Sequence, residues 1–133
     1  MALSVSYTVL DSMPFPRLPV DHPVVAHLGP LALRLTCTEP ETAAYWNAMA
    51  DPGWCDPIPE GTFPPGFLDE ASRAAARAEI DAVVARDLFA LSADELAGIL
   101  DTFPVLRRRE ERAYGEYRTK LLVLAHFARP VAS

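Results

Sequence analysis

Proline is distributed unevenly along this chain of 133 residues, because eleven of the thirteen prolines lie within the first 65 positions. Proline has no backbone N–H and a fixed φ, so it is excluded from helix interiors and from central strands. We therefore predict a mainly α fold in which a proline-rich, loop-rich segment (1–67) precedes a small helical subdomain (68–133) of about three helices. The front segment is expected to hold one or two short helices and at most one short strand, at Ser4–Leu10.

Two stretches of the front segment carry helix-start signals. Asp21 can cap the first helix, which the Gly29-Pro30 pair should kink or split. The segment Thr38–Glu41 combines a capping box with a proline near the first helical position, and it should open the second helix. Asp51–Phe67 is rich in Pro and Gly and is predicted to be a loop, with Trp54 as the side chain that attaches it to the core.

In the back half, three segments have apolar residues at the spacing of an amphipathic helix. One helix is predicted from Leu68 onward, a second follows the capping box Ser92–Glu95 and ends at Pro104, and a third runs from about Arg108 to Phe127, with Gly115 as a point where it can break. Arg77, Asp81 and Arg86 are expected to point outward. The predicted buried positions are Ala76, Ile80, Val83, Val84, Leu88 and Leu91 in the first helix, Leu96, Ile99, Leu100 and Phe103 in the second, and Tyr114, Tyr117, Leu121, Leu124 and Ala128 in the third.

The basic charge of this acidic chain is concentrated near its C-terminal end. The formal net charge is −6, but the residues from Val105 onward include seven basic and three acidic side chains, a local balance of +4. Phosphate contacts are electrostatic and local, so a polyanion should be attracted to this segment and repelled by the rest of the chain. A solvated helix face that pairs with acidic neighbours is the alternative interpretation of the same pattern.

No catalytic pattern assembles in the sequence. There is no Gly-x-Gly loop or Walker motif, and Phe63–Gly66 lacks the Asn or Asp and the aromatic residue that amino-methylation of a base requires. Lys120, the only lysine, is preceded two positions earlier by Arg118 and not by the Glu of a nuclease motif. Asp101 and Glu116 are interpreted as helix-surface ion partners. We therefore predict no catalytic residues, no metal site and no cofactor bound by this chain.

The segment Leu100–Lys120 carries a specific resemblance. Its Leu-Asp-Thr-Phe-Pro-Val start, its arginine-rich middle and its Tyr-Gly-Glu-Tyr-Arg-Thr-Lys end resemble the extreme C-terminal region of large adenine-specific restriction–modification methylases. These include type IIG-like fusions and the methylases of the BREX and DISARM phage-defence systems. Weaker likenesses extend upstream in the same order, at Ser6–Pro16, Leu33–Thr36, Arg77–Ala82 and Leu91–Leu96.

The resemblance implies a non-catalytic module of a DNA methyltransferase that supports DNA recognition or assembly. In that family the S-adenosylmethionine site and the catalytic loop lie upstream, so the cofactor would bind another region or a separate catalytic subunit. Met1 lies just before Ser6–Pro16, as expected for either a split subunit or a truncated remnant. The candidate residues for weak DNA contact through phosphates are Arg107, Arg108, Arg109, Arg112, Arg118 and Lys120.

An alternative function is a small helical protein-interaction module without nucleic-acid binding, which the negative total charge favours. Arg118 could also serve the fold, by stacking on a tyrosine or bridging to an acid such as Asp101. No apolar run reaches the length of a membrane span, and the first residues lack the order of a signal peptide. We therefore expect a cytoplasmic protein without membrane contact, in which Cys37 and Cys55 are free thiols.

Overall fold

The computed structural model describes residues 18–129, which are mainly helical and contain no strand. The predicted strand at Ser4–Leu10 lies outside the described residues. A 3₁₀ turn at Pro40–Thr42 precedes the second helix, and a π-helical turn at Val84–Leu88 extends the third. The α-helices within this range are α1 (Pro23–Thr36), α2 (Ala43–Ala48), α3 (Glu70–Val83), α4 (Ala93–Leu100), α5 (Pro104–Tyr114) and α6 (Arg118–Ala128).

Helix α1 begins and continues differently from the prediction. Its cap is His22, whose Nδ1 accepts a hydrogen bond from the Val24 N–H at 3.2 Å, and not Asp21. The predicted split at Gly29-Pro30 is wrong, because the helix runs through Pro30. Gly29 instead provides space, since a Cβ there would overlap the ring of Trp54. This close approach attaches the 51–67 loop to α1, as predicted for Trp54.

The entry to α2 also differs from the prediction. Glu39 precedes the 3₁₀ turn in an extended conformation without a side-chain cap, so the expected capping box at Thr38–Glu41 is wrong. The hydroxyl of Thr42 donates to the carbonyl of Glu39 at 2.6 Å and tightens this turn. Inside α2, Trp46 is 4% exposed and forms a core cluster with Leu33 and Cys37, on which the predicted loop packs.

Helix α3 lies at the centre of the fold and packs against α1 and α6. Along α3 and the residues that follow it, the buried side chains are mostly small: Ala76, Ala78, Ala82 and Ala85 are buried, whereas Ile80, Val84, Leu88 and Leu91 are only half-buried. Small residues allow neighbouring backbones to approach, which explains why the predicted larger side chains lie at the edge of the contact. Val83 is buried as predicted, and Arg77 and Asp81 point outward.

Arg86 does not point outward as predicted. Its Nη1 donates to the carbonyls of Phe127 (3.2 Å) and Arg129 (2.6 Å) at the end of α6. The last carbonyls of a helix have no partner within the helix, so a guanidinium placed there satisfies them. Glu79 of α3 also joins helices, because its carboxylate lies 3.4 Å from His27 Nε2 of α1 and 3.7 Å from His126 Nδ1 of α6.

The principal core lies between α3, α4 and α6, and it contains Leu96, Leu100 and Val123 together with alanines of α3. Ile99 and Phe103, both predicted to be buried, are 45% and 49% exposed. For Phe103 the reason is that α4 ends at Leu100, so this residue no longer follows the helical period; Ile99 lies within α4, on a face that no other element covers in full. Pro104 does not terminate α4; it is the first residue of α5.

The predicted third back-half helix is two helices, α5 and α6. Gly115 separates them with a φ of 77°, a left-handed conformation that glycine adopts at little cost. Because of this break, the apolar residues before and after Gly115 do not lie on one continuous helix face. Tyr117 is therefore buried and Leu124 half-buried, whereas Tyr114, Leu121 and Ala128 are exposed against the prediction. Among residues 18–129, no helix has the length and hydropathy that a transmembrane span needs.

The predicted capping box of α4 is present. Ser92 Oγ accepts from the Glu95 N–H at 3.1 Å, and Glu95 Oε1 accepts from the Ser92 N–H at 2.9 Å. We expect Ser92→Ala to lower the free energy of unfolding by about 1 kcal/mol, because an orphan helix N–H loses its acceptor. Urea denaturation measures this difference. A Ser92 variant as stable as wild type would contradict the cap's contribution.

Candidate nucleic-acid interface

The segment Leu100–Lys120 closes on itself through contacts between its two ends. The hydroxyl of Tyr117 donates to the Leu100 carbonyl at 2.7 Å, and Lys120 Nζ lies 2.8 Å from Asp101 Oδ1. Burial raises the pKa of Tyr117, and the hydrogen bond from Lys120 holds the pKa of Asp101 below its usual value. These bonds join the start of α6 to the end of α4, the two helices that α5 connects.

Glu110 attaches the middle of α5 to α6. Its carboxylate accepts from the backbone N–H and from the hydroxyl of Thr119, both at 2.7 Å. Thr119 lies in the first turn of α6, so Glu110 serves as a cap supplied by a neighbouring helix. The Glu110 carboxylate is therefore used within the protein, in the contact between α5 and α6. No residue of α5 is fully buried.

Half of the six candidate DNA contacts interact with other parts of the protein. Arg107 Nε donates to Glu111 Oε1 at 2.8 Å, and its Nη1 lies 3.8 Å from Asp101. The Arg118 guanidinium lies over the Tyr114 ring, 4.7 Å from its centroid. Lys120 pairs with Asp101 as described above. Arg107 and Lys120 are therefore paired with carboxylates, and the Arg118 guanidinium is held against an aromatic ring.

The other three candidates, Arg108, Arg109 and Arg112, are exposed on α5. None of their guanidinium groups makes a hydrogen bond or ion pair with another residue between positions 18 and 129. Arg108 and Arg112 are four residues apart, and Arg109 and Arg112 three, so their side chains extend from neighbouring positions on the helix surface. The structure therefore brings together three guanidinium groups that have no carboxylate partner within this range.

Two cavities border Arg109, which with Arg108 and Arg112 forms what we call the arginine cluster. The larger, of about 580 Å³, separates Arg109 from α3, where Glu70 and Asp81 line the opposite wall. Desolvation raises the pKa of Asp81, although its side chain is open to solvent on one side. The smaller cavity, of about 350 Å³, lies at the turn from α4 to α5 and is lined by Thr102, Phe103, Pro104, Val105, Leu106 and Arg109.

The smaller cavity, which we call the Phe103 groove, was not predicted from the sequence. The spacing of Phe103 from Leu96, Ile99 and Leu100 predicts a core position, but Phe103 is 49% exposed and Val105 is 75% exposed. The signal that could have revealed it is Pro104, because proline is favoured at the first position of a new helix. A helix start at Pro104 places Phe103 in a turn.

Among residues 18–129, no cluster of three or more His, Cys, Asp and Glu side chains could hold a metal ion. Comparisons of the chain with protein-family models, with curated proteins and with solved structures gave no match.

Proposed function

We propose that this chain is a non-catalytic C-terminal module of an adenine-specific DNA methylase or restriction–modification protein, and that it supports DNA recognition through phosphate contacts made by α5. The observation that carries the proposal is the arginine cluster, three exposed guanidinium groups without a carboxylate partner among residues 18–129. They lie within Leu100–Lys120, the same segment that resembles the methylases.

The surrounding contacts support this assignment of roles. Tyr117 and Lys120 hold the ends of the segment and Glu110 holds the middle of α5, so this helix has a fixed position from which its arginines can reach a ligand. Arginine binds phosphate through a planar fork of N–H donors, and such contacts position DNA without reading its sequence. We therefore expect binding with little sequence preference.

The affinity of the isolated chain should be low. Its formal net charge of −6 opposes the approach of DNA, and only a few phosphate contacts are available. A partner that carries the catalytic region would supply the remaining contacts. The module would then contribute to orientation on the duplex, and the methyl transfer would take place elsewhere.

The exposed Phe103 and Val105 favour a second candidate function, a helical protein-interaction module without nucleic-acid binding. Apolar side chains that are exposed next to one another often mark protein contacts. This candidate predicts that the purified chain does not bind DNA even at low ionic strength. The two candidates are therefore separated by one binding measurement.

The experiment is fluorescence anisotropy of a labelled DNA duplex titrated with the chain at low ionic strength. We expect the triple variant Arg108→Gln, Arg109→Gln, Arg112→Gln to lose roughly tenfold or more in affinity, because each lost phosphate contact removes a released counterion. The variant should stay folded, since these exposed charges contribute little to stability.

A matched control separates specific contact from total charge. Arg112→Gln and Arg77→Gln each remove one exposed guanidinium from a helix, but Arg77 belongs to α3 and pairs with Glu70 at 2.7 Å. We expect Arg112→Gln to weaken binding and Arg77→Gln to leave it nearly unchanged. Equal effects of the two variants, or a triple variant that binds like wild type, would contradict the proposal.

A further inference from the structure

The Phe103 groove combines an exposed aromatic ring with an apolar lining. Phe103 and Val105 line it and are 49% and 75% exposed, and Leu106, which also lines it, is half-buried. Single exposed apolar residues are common on protein surfaces, but adjacent ones that line a cavity of about 350 Å³ form a site with room for a planar group.

The polar side chains that line the groove, Thr102 and Arg109, restrict the kind of ligand that it can bind. Within residues 18–129, Arg109 is the only charged residue that lines it, and Arg108 and Arg112 continue the positive charge along α5. Thr102 donates its hydroxyl hydrogen to the Ile99 carbonyl at 2.6 Å, so its oxygen can still accept a hydrogen bond. An aromatic ring, a guanidinium and a basic track are the elements with which proteins bind single-stranded nucleic acids.

We propose that the Phe103 groove binds a base of single-stranded DNA, with the base stacked on Phe103 and the flanking phosphates on Arg108, Arg109 and Arg112. This inference rests on the proposed DNA contact of α5 and specifies its ligand. A paired base is stacked between its neighbours and hydrogen-bonded to its partner, so its faces cannot reach the ring. The module should therefore prefer unpaired DNA over intact duplex and should tolerate any base, because every base has a π-face.

A protein segment is the other occupant that the apolar lining would accept. The arginine cluster beside the groove favours the nucleic acid, since the described lining residues include no carboxylate and a DNA strand supplies regularly spaced negative charges. The test below includes the protein occupant as an outcome.

The experiment compares an oligothymidylate with a duplex of the same number of phosphates, both labelled, in anisotropy titrations of the full chain. We expect wild type to bind the single strand about fivefold or more tightly than the duplex. Phe103→Ala should lose this preference while it keeps the affinity for duplex, and Phe103→Trp should retain the preference. Leu121→Ala removes an apolar side chain that is 51% exposed on α6, outside the groove, and it should behave as wild type.

A second readout reports stacking directly. An oligonucleotide with a single 2-aminopurine should change its fluorescence when wild type binds and should not do so with Phe103→Ala. A wild-type chain that binds both DNA forms equally, or a Phe103→Ala variant that keeps the preference, would overturn this inference and leave the phosphate contacts standing. If neither form binds, the proposed function fails as well, and the groove would be assigned to a protein partner.

Discussion

Trp46→Ala is expected to lower the free energy of unfolding by about 3–5 kcal/mol, the range found when a buried tryptophan or phenylalanine is truncated. The side chain is 4% exposed and packs with Leu33 and Cys37. Its Nε1–H donates to the Asp56 carbonyl at 2.8 Å, so truncation also releases the 51–67 loop. A loss of this size is a large fraction of the stability of a small protein.

Tyr45→Ala is the matched control, because Tyr45 is an aromatic residue of the same short helix but is 53% exposed. We expect it to change the free energy of unfolding by less than about 1 kcal/mol. Urea denaturation followed by circular dichroism measures both variants. Equal stability of the two would show that Trp46 does not organise the front segment.

Leu100→Ala is expected to cost about 2–5 kcal/mol, whereas Phe103→Ala should cost less than about 1 kcal/mol. Leu100 is 7% exposed and belongs to the principal core between α3, α4 and α6. Phe103 is half exposed, three residues later, beyond the end of α4. Thermal and urea denaturation of the two variants give the comparison.

Which of the two variants loses more free energy of unfolding tests the candidate site as well as the core. A Phe103→Ala variant that is destabilised more than Leu100→Ala would mean that the ring packs inside the protein and that the Phe103 groove is occupied by the chain itself. The expected order leaves Phe103 free for a ligand and makes its alanine variant usable in binding experiments.

Local signals in the sequence predicted several helix boundaries of the back half. The capping box at Ser92–Glu95, the helical period from Leu68 onward and the glycine at position 115 each act through neighbours within one or two turns. The mainly α fold follows from these signals. The front half was predicted less accurately, because whether Pro30 breaks α1 depends on what packs against the helix, and here the Trp54 ring lies against Gly29.

The candidate site depends on contacts between residues far apart in sequence. Lys120 pairs with Asp101, nineteen positions earlier, and Tyr117 bonds to Leu100, seventeen positions earlier. No spacing rule connects such pairs, so the sequence could not tell which cations serve the fold and which extend from it. The exposed Phe103 was hidden for a related reason, since its spacing is helical but the helix ends before it.

The salt dependence of DNA affinity tests the phosphate contacts of α5 most directly. Each contact contributes about 0.9 to the slope of log affinity against log salt concentration, so wild type should show a shallow slope that reflects a few contacts. Replacing Arg108, Arg109 and Arg112 together should flatten the slope by roughly 2–3 while the circular dichroism spectrum stays unchanged. A folded triple variant with the wild-type slope would contradict the assignment of these arginines to DNA.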